Sequence, residues 1–485
     1  MKILSKNGDE IILLAVNNDS VNKGEYFVIE DFNVNKKLLV QIYDEEYFSS
    51  QSLVDEIIKD EVIGKYSSEK IFDPLEINNL SQIIKDVRLL RTKIRGSIDK
   101  FNNFSADVDW VPSRVASKIV KISYNEIRSL IKKDMSYPIL IGKSSTDNQA
   151  FDIYAEDLDG KLNIITGKKE TGKSHLSKIL IKFLIQYGAY VIVFDLNNEY
   201  SGLLLNTDGK PSSINERLHL LEPGKELKFN LRYCGKSSIS NMLKNALDMP
   251  AASLREFFRI WDLLENKKNL GLDELGHAFS TWNINELVRD ALLSRFHTIN
   301  SSLLFCVKSP TEKGFEFEEL IKMKKKGAGM IINMGKSSPV VRRMIVEIIM
   351  NKLIDLLEKS VIPPIFIFAE EAHLYIRDTY WEDLITRMRH FGIYTTFITN
   401  QPDALNDTIY RQVDNIFLFN FTNDADLEKI SKVSLLDSST IKSLVKTLSN
   451  RSCLSIGKVV SNLPMVVKVD PINVITLGET KKFFK

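Results

Sequence analysis

Gly167-Lys168-Lys169-Glu170-Thr171-Gly172-Lys173-Ser174 fits the spacing G-x-x-x-x-G-K-[ST] of a phosphate-binding P-loop. Leu162-Asn163-Ile164-Ile165-Thr166 precedes it as a short apolar strand. After it, Leu176, Ile179, Leu180, Phe183, Leu184 and Tyr187 recur at helical spacing, and Gly188 ends the helix. The loop therefore joins a buried strand to a helix N-terminus. Its glycines let the backbone turn around an anion, and the loop N–H groups and the helix dipole favour phosphate. On this reading Gly167, Lys168, Lys169, Glu170, Thr171, Gly172, Lys173, Ser174 and the adjoining His175 hold a nucleoside triphosphate. Lys173 reaches the β/γ-phosphates and the Ser174 hydroxyl ligates Mg²⁺.

Working outward, Tyr190-Val191-Ile192-Val193-Phe194 is an apolar strand that ends in Asp195-Leu196-Asn197-Asn198-Glu199-Tyr200. Strand, helix and strand make a βαβ unit, hence a parallel, buried sheet. Asp195 and Glu199 fall at the carboxyl end of a strand, where such sheets bind ligands; they read equally well as solvated loop acids. Further on, Pro364-Ile365-Phe366-Ile367-Phe368-Ala369 runs into Glu370-Glu371-Ala372-His373, an acidic pair of Walker B type. Glu370 is assigned to the Mg²⁺ environment and Glu371 to the attacking water. His373 reads as a local cap or as a nucleotide sensor. The strand Ile393–Thr399 ends in Asn400, an amide placed to contact the γ-phosphate. Before that strand stand Arg387 and Arg389, of which an exposed one can complete a neighbour's site.

Length and composition bound the rest. A chain of 485 residues is too long for one core. Its hydrophobic content of 44% and charged content of 26% are those of a globular protein. A net charge of +2 provides no global field for nucleic acid, so any DNA-binding surface is local or built by assembly. Cys234, Cys306 and Cys453 have no metal spacing and read as inert thiols of a reducing compartment. The apolar run Val361–Ala369 spans nine residues and holds two prolines, too short for a membrane helix. The N-terminus has no signal-peptide pattern, so a cytoplasmic location without a membrane partner is expected.

Residues 1–134 read as a small β-barrel or sandwich for assembly or partner docking, with strand runs at Glu10–Val16, Gly24–Glu30, Lys37–Tyr43, Val87–Ile98 and Arg114–Ile122. Leu53–Ile63 and Ile77–Lys85 read as helices between them. Residues 135–235 are the first part of an α/β, RecA-like core. Residues 236–315 are a helical insertion with amphipathic stretches Ser238–Leu247, Ala252–Leu264 and Ile284–Ile299. Phe257, Phe258 and Trp261 on the second read as core. Residues 316–470 are the second part of the ATPase core, and 471–485 form a tail. The basic residues Lys322, Lys324, Lys325 and Lys326, followed by Lys336, Arg342 and Arg343, read as a solvated face, with DNA contact as the alternative.

Taken together the motifs resemble the HerA branch of the FtsK–HerA ring ATPases. The likeness lies in Ile141-Gly142, the P-loop, Asp195-Leu196-Asn197-Asn198-Glu199-Tyr200-Ser201, Glu370-Glu371-Ala372-His373 and Arg389-His390-Phe391-Gly392. It continues through Thr399-Asn400-Gln401-Pro402, Gln412-Val413-Asp414-Asn415, Thr422-Asn423-Asp424-Ala425-Asp426-Leu427, Ser455-Ile456-Gly457 and Val467-Lys468-Val469. The resemblance covers most of residues 138–470 outside the insertion. It implies a homohexameric ring that hydrolyses ATP between subunits and moves double-stranded DNA through its pore. It also implies a partner nuclease or an NAD-consuming effector, in DNA-end processing or anti-phage defence. By position Arg389 resembles the trans-acting arginine. The chain departs from the family at Asn400-Gln401, where Gln-Arg is common, and at Lys168-Lys169-Glu170-Thr171, where small residues are usual.

Overall fold

The computed structural model describes residues 1–15, 21–47, 87–131, 134–307, 314–320, 326–375, 387–432 and 436–477. The expected helices Leu53–Ile63 and Ile77–Lys85, and Lys322, Lys324 and Lys325, lie outside the described residues. The chain forms two compact units. One comprises Met1–Met135, Gly142–Phe151 and Asn420–Lys468; the other comprises Ser136–Ile141, Asp152–Phe419 and Val469–Lys485.

The first unit holds an antiparallel half-barrel: β1 (Lys2–Asn7), β2 (Glu10–Ala15), β3 (Tyr26–Asp31), β4 (Lys36–Tyr47), β5 (Arg88–Ile98), β6 (Phe104–Ser105) and β7 (Ser117–Ile122). The sheet order is β1-β2-β5-β4-β3-β7, with β6 on β5. Alternation places Ile11, Leu13, Ile29, Leu38, Val40, Ile42 and Leu90 in one buried cluster. β1 is not evident from its mixed Lys/Ser pattern, because its register on β2 is interrupted between Ile3 and Ser5. A short helix α1 (Tyr124–Leu130) follows β7, opened by a Ser123/Glu126 capping box. Two links tie this sheet to residues late in the chain: Tyr26 donates to the Pro464 carbonyl at 2.8 Å and Gln41 donates to the same oxygen at 2.9 Å.

After α1, the chain forms β8 (Pro138–Ser144) and β9 (Ala150–Tyr154), each divided between the units. The second unit is built on parallel strands. β10 (Asn163–Thr166) leads through the P-loop to α2 (Lys173–Gln186), and β11 (Tyr190–Asp195) and β12 (Leu218–Leu221) follow. Then come four helices: α3 (Leu231–Asn245), α4 (Ala251–Asn266), α5 (Leu272–Thr281) and α6 (Glu286–Ser301). Phe257 and Trp261 are fully buried, as core residues should be, whereas Phe258, one position round the helix from Phe257, is only half-buried. α5 is masked in the sequence by Gly276, against which the Phe296 ring packs so closely that a Cβ would stand 2.3 Å from it. β13 (Ala328–Asn333) resumes the sheet; α7 (Pro339–Glu358) starts at the Ser338 cap with proline in its first turn. β14 (Ile365–Glu370), β15 (Ile393–Thr399), α8 (Asp407–Tyr410) and β16 (Asn415–Phe419) complete the unit's sheet.

The parallel order is β12-β13-β11-β14-β15-β10-β16. Its strands are almost continuously apolar, as burial on both faces demands. One buried polar rung pins the register: Asn415 donates to Asn163 Oδ1 at 2.8 Å, and Asn163 donates to Thr396 Oγ1 at 3.3 Å. Two helices of the first unit, α9 (Asp424–Ser431) and α10 (Ser438–Lys446), precede the antiparallel pair β17 (Ser452–Gly457) and β18 (Met465–Val469). Among the described residues no helix is long and apolar enough to cross a membrane. The three cysteines are free and buried, and burial pushes the Cys234 and Cys453 thiols up to about 12.

Candidate active site

Parallel registry brings the chemical groups to one edge. Thr166 pairs with Thr399 across β10–β15, Glu370 with Ile398 across β14–β15, and Asp195 with Asn333 across β11–β13. The P-loop leaves the carboxyl end of β10 at this edge. Gly167 is required by close approach: a Cβ would lie 2.4 Å from the Phe419 Cβ. Glu170, with φ +62°, takes a left-handed conformation that small residues adopt more readily. Gly172 caps α2 without a side chain. The backbone N–H groups of Lys169, Thr171, Gly172, Lys173 and Ser174 have no protein acceptor among the described residues. Such a run of donors at a helix start suits an anion. Lys173 is buried, and its Nζ donates to the carbonyls of Gly167 (2.8 Å) and Lys168 (2.7 Å), holding it under the loop. Burial lowers its pKa, opposed by the charges of Glu371, Glu199 and Glu370.

The two buried acids are engaged by backbone. Asp195 accepts the N–H groups of Glu199 and Tyr200, each at 3.0 Å. Glu370 Oε2 accepts those of Leu196 (2.8 Å) and Asn197 (3.2 Å), and Oε1 accepts the Asn197 amide at 3.1 Å. Both carboxyls are shifted upward, first by burial; for Glu370 the charges of Glu199 and Asp195 add to it. Together they shape the turn after β11. Tyr200 then links that turn to the P-loop helix, its hydroxyl 2.9 Å from Ser177 Oγ. Sequence reasoning missed Ser177, a helical serine whose partner is defined only by folding.

Glu371 is half-buried at the end of β14 and left-handed, with φ +44°. Its N–H donates to the Ile398 carbonyl at 2.7 Å, and its Oε2 accepts the Asn400 N–H at 3.2 Å. Thr399 Oγ1 is 3.3 Å from the same oxygen and 3.2 Å from His373 Nδ1. The structure thus groups the P-loop, Glu370, Glu371, Asn400 and His373 at one edge. Arg389 is not among them. It lies in the helical residues 387–391, and its guanidinium pairs with Asp414 at 2.6 Å and donates to the Gln412 carbonyl, at the amino end of β16. Of the basic residues near β13, Lys336 is solvent-exposed and pairs with Glu222 at 2.9 Å, and the partly exposed Arg342 donates to the carbonyls of Met334 and Gly335.

No group of three or more His, Cys, Asp or Glu side chains forms a metal cage among the described residues. A hydroxyl, nearby carboxylates and a phosphate cradle fit Mg²⁺, which is held largely by substrate phosphate and water.

The family model for the central domain of helicase HerA matches residues 165–353. The DNA double-strand break repair helicase HerA of Saccharolobus solfataricus is 23% identical over 422 residues, covering 80% of this chain and 79% of that protein. The plasmid coupling protein TrwB with a non-hydrolysable ATP analogue has TM-score 0.52 at 13% identity, covering 73% of this chain and 94% of that one. TrwB in complex with ADP and Mg²⁺ has TM-score 0.50 at 12% identity, with coverage of 73% and 94%. The structural likenesses speak for the fold, RecA-like and P-loop-bearing; the sequence relatives carry the likeness to HerA. The chain is thus a P-loop ATPase similar to the HerA helicases of the FtsK–HerA group, the likeness being carried by residues 165–353 and by the relatives of 23% identity.

Proposed function

We propose that the chain forms a homohexameric ring that couples ATP hydrolysis to translocation along double-stranded DNA in the cytoplasm, working with a partner nuclease or other effector. Gly167–His175 hold ATP, with Lys173 at its β/γ-phosphates. Ser174 and Glu370 serve the Mg²⁺ ion, which when bound neutralises charge on the phosphates. Glu371 orients the attacking water and Asn400 contacts the γ-phosphate. Arg389 completes the site of a neighbouring copy. The observation that carries this reading is the placement of Arg389 at the edge of the sheet opposite its own P-loop. On this reading an Arg389 that serves hydrolysis serves the site of another copy.

The test is a Glu371→Gln chain, which keeps ATP binding and loses hydrolysis; normal turnover would remove Glu371 from its role. Added duplex DNA raises the ATPase rate, with affinity falling steeply as salt rises. A rate indifferent to DNA counts against a motor.

A second reading makes the ring a scaffold that activates a partner enzyme. It is favoured by apolar side chains exposed at the loops of the half-barrel: Phe32 at 67%, Phe101 at 73% and Val115 at 96%. The Phe32 N–H donates to the Ala116 carbonyl, so Phe32 and Val115 are neighbours. Replacing these three residues with Glu then abolishes co-purification of the effector and leaves the ATPase rate intact. Retention of the effector would end this reading.

A further inference from the structure

The carboxylate of Glu371 is held by more than its own backbone. Thr399, fully buried, ends β15 directly opposite Thr166, the residue that leads into the P-loop. Its hydroxyl oxygen has four polar neighbours. It accepts the Gln401 N–H at 3.0 Å, and lies 3.3 Å from the Gln401 carbonyl, 3.3 Å from Glu371 Oε2 and 3.2 Å from His373 Nδ1. His373 itself is 3.6 Å from Glu371 Oε2, too far for a direct hydrogen bond, and its side chain is 9% exposed. The hydroxyl has one proton to give. If His373 carries its hydrogen on Nδ1, the ring donates to Thr399 and does not compete for that proton. The proton is then free for Glu371, where the negative charge makes the bond stronger than one to the Gln401 carbonyl. If the hydrogen is on Nε2, Nδ1 becomes an acceptor and draws the proton away.

We propose that Thr399 and His373 are positioning residues for Glu371: the ring donates through Nδ1–H to the Thr399 hydroxyl, which donates to Glu371 Oε2 and fixes the carboxylate beside the P-loop. The inference rests on the reading of Glu371 as the residue that orients water. It gives His373 a role that needs no contact with nucleotide.

Thr399→Val removes the hydroxyl and keeps the shape. It lowers kcat on the order of tenfold, the loss of one hydrogen bond to a charged group. ATP affinity, measured by fluorescent-nucleotide binding, changes less than about twofold because Glu371 is not used to bind. Thr399→Ser restores most of the rate. His373→Ala lowers kcat comparably, yet adds nothing further in the Thr399→Val background. An unchanged kcat in either single variant overturns the proposal, as does a fully additive double variant. So does Thr399→Ser as slow as Thr399→Val. If Glu371→Gln keeps hydrolysing ATP, the underlying reading of Glu371 fails and this inference with it. If Glu371→Gln is inactive while Thr399→Val is fully active, only the positioning role fails.

Discussion

The guanidinium of Arg389 stands 2.6 Å from the carboxylate of Asp414, and the same carboxylate accepts the Leu162 N–H at 3.0 Å, just before β10 begins. The P-loop leaves the other end of β10. Four strand residues separate the two ends, a rise of about 13 Å. Arg389 is 33% exposed, so one side of it faces outward while the other is braced by the ion pair. The brace gives a long side chain a fixed orientation at the protein surface.

Arg389→Ala is therefore expected to lower kcat on the order of 10³ without weakening ATP binding. The distinctive measurement is complementation. Lys173→Ala and Arg389→Ala proteins, each inactive alone, regain activity when mixed, because some interfaces combine an intact P-loop with an intact arginine. No recovery on mixing, with mixed assemblies demonstrated, would place the arginine outside a shared site.

Stability should depend on pH through Glu370. Burial, then the charges of Glu199 and Asp195, push its carboxyl from 4.5 up to about 8. The folded state thus binds this proton more tightly than the unfolded chain. Its contribution is fully present below the unfolded value and is lost as pH rises through the folded one. Thermal melts without nucleotide should show a falling Tm between about pH 5 and 8, and Glu370→Gln should flatten that slope. An equally steep slope in the variant would assign the titration to another group.

Gly167→Ala tests the cradle. Its Cβ would meet the Phe419 Cβ at 2.4 Å and the Phe419 Cα at 3.2 Å, so backbone has to move. A cost of about 1–3 kcal/mol is expected, together with at least a tenfold loss of nucleotide affinity because the loop itself is displaced. Denaturant midpoints and nucleotide titration read the two effects separately.

Glu170 offers the opposite case. It is an exposed acid at φ +62° within a loop that takes a polyanion. Glu170→Gly and Glu170→Ala should both tighten ATP binding several-fold by removing repulsion, more at low salt. Only glycine also relieves the left-handed backbone, worth about 1 kcal/mol. Binding that does not respond to either change would show that the Glu170 carboxylate is remote from the phosphates.

The strand, loop and helix around Gly167–Ser174 were legible because each depends on neighbours in sequence: apolar periodicity, a glycine at a turn and a stop at Gly188. The acidic pair was legible for the same reason, as an apolar strand that ends in charge. β1 and α5 were not, since an interrupted register and a mid-helix glycine hide the pattern that tertiary packing tolerates. The use of each acid was also hidden. Nothing near Glu370 in the chain shows that Leu196 and Asn197 occupy its oxygens, and nothing near Glu371 announces the hydroxyl of Thr399.

What the sequence determined alone is the local chemistry: a phosphate cradle, a lysine at its end, two acids after a buried strand and an arginine before the next. Tertiary structure decided how these are shared out. Parallel registry sets Thr166, Glu370 and Thr399 at one edge and leaves Arg389 at the other, because strands align by their buried faces and not by their chemistry. It also joins Tyr26 and Gln41 to Pro464, residues more than 400 positions apart. Such links follow from which apolar surfaces close over one another, a property of the whole chain that no short stretch contains.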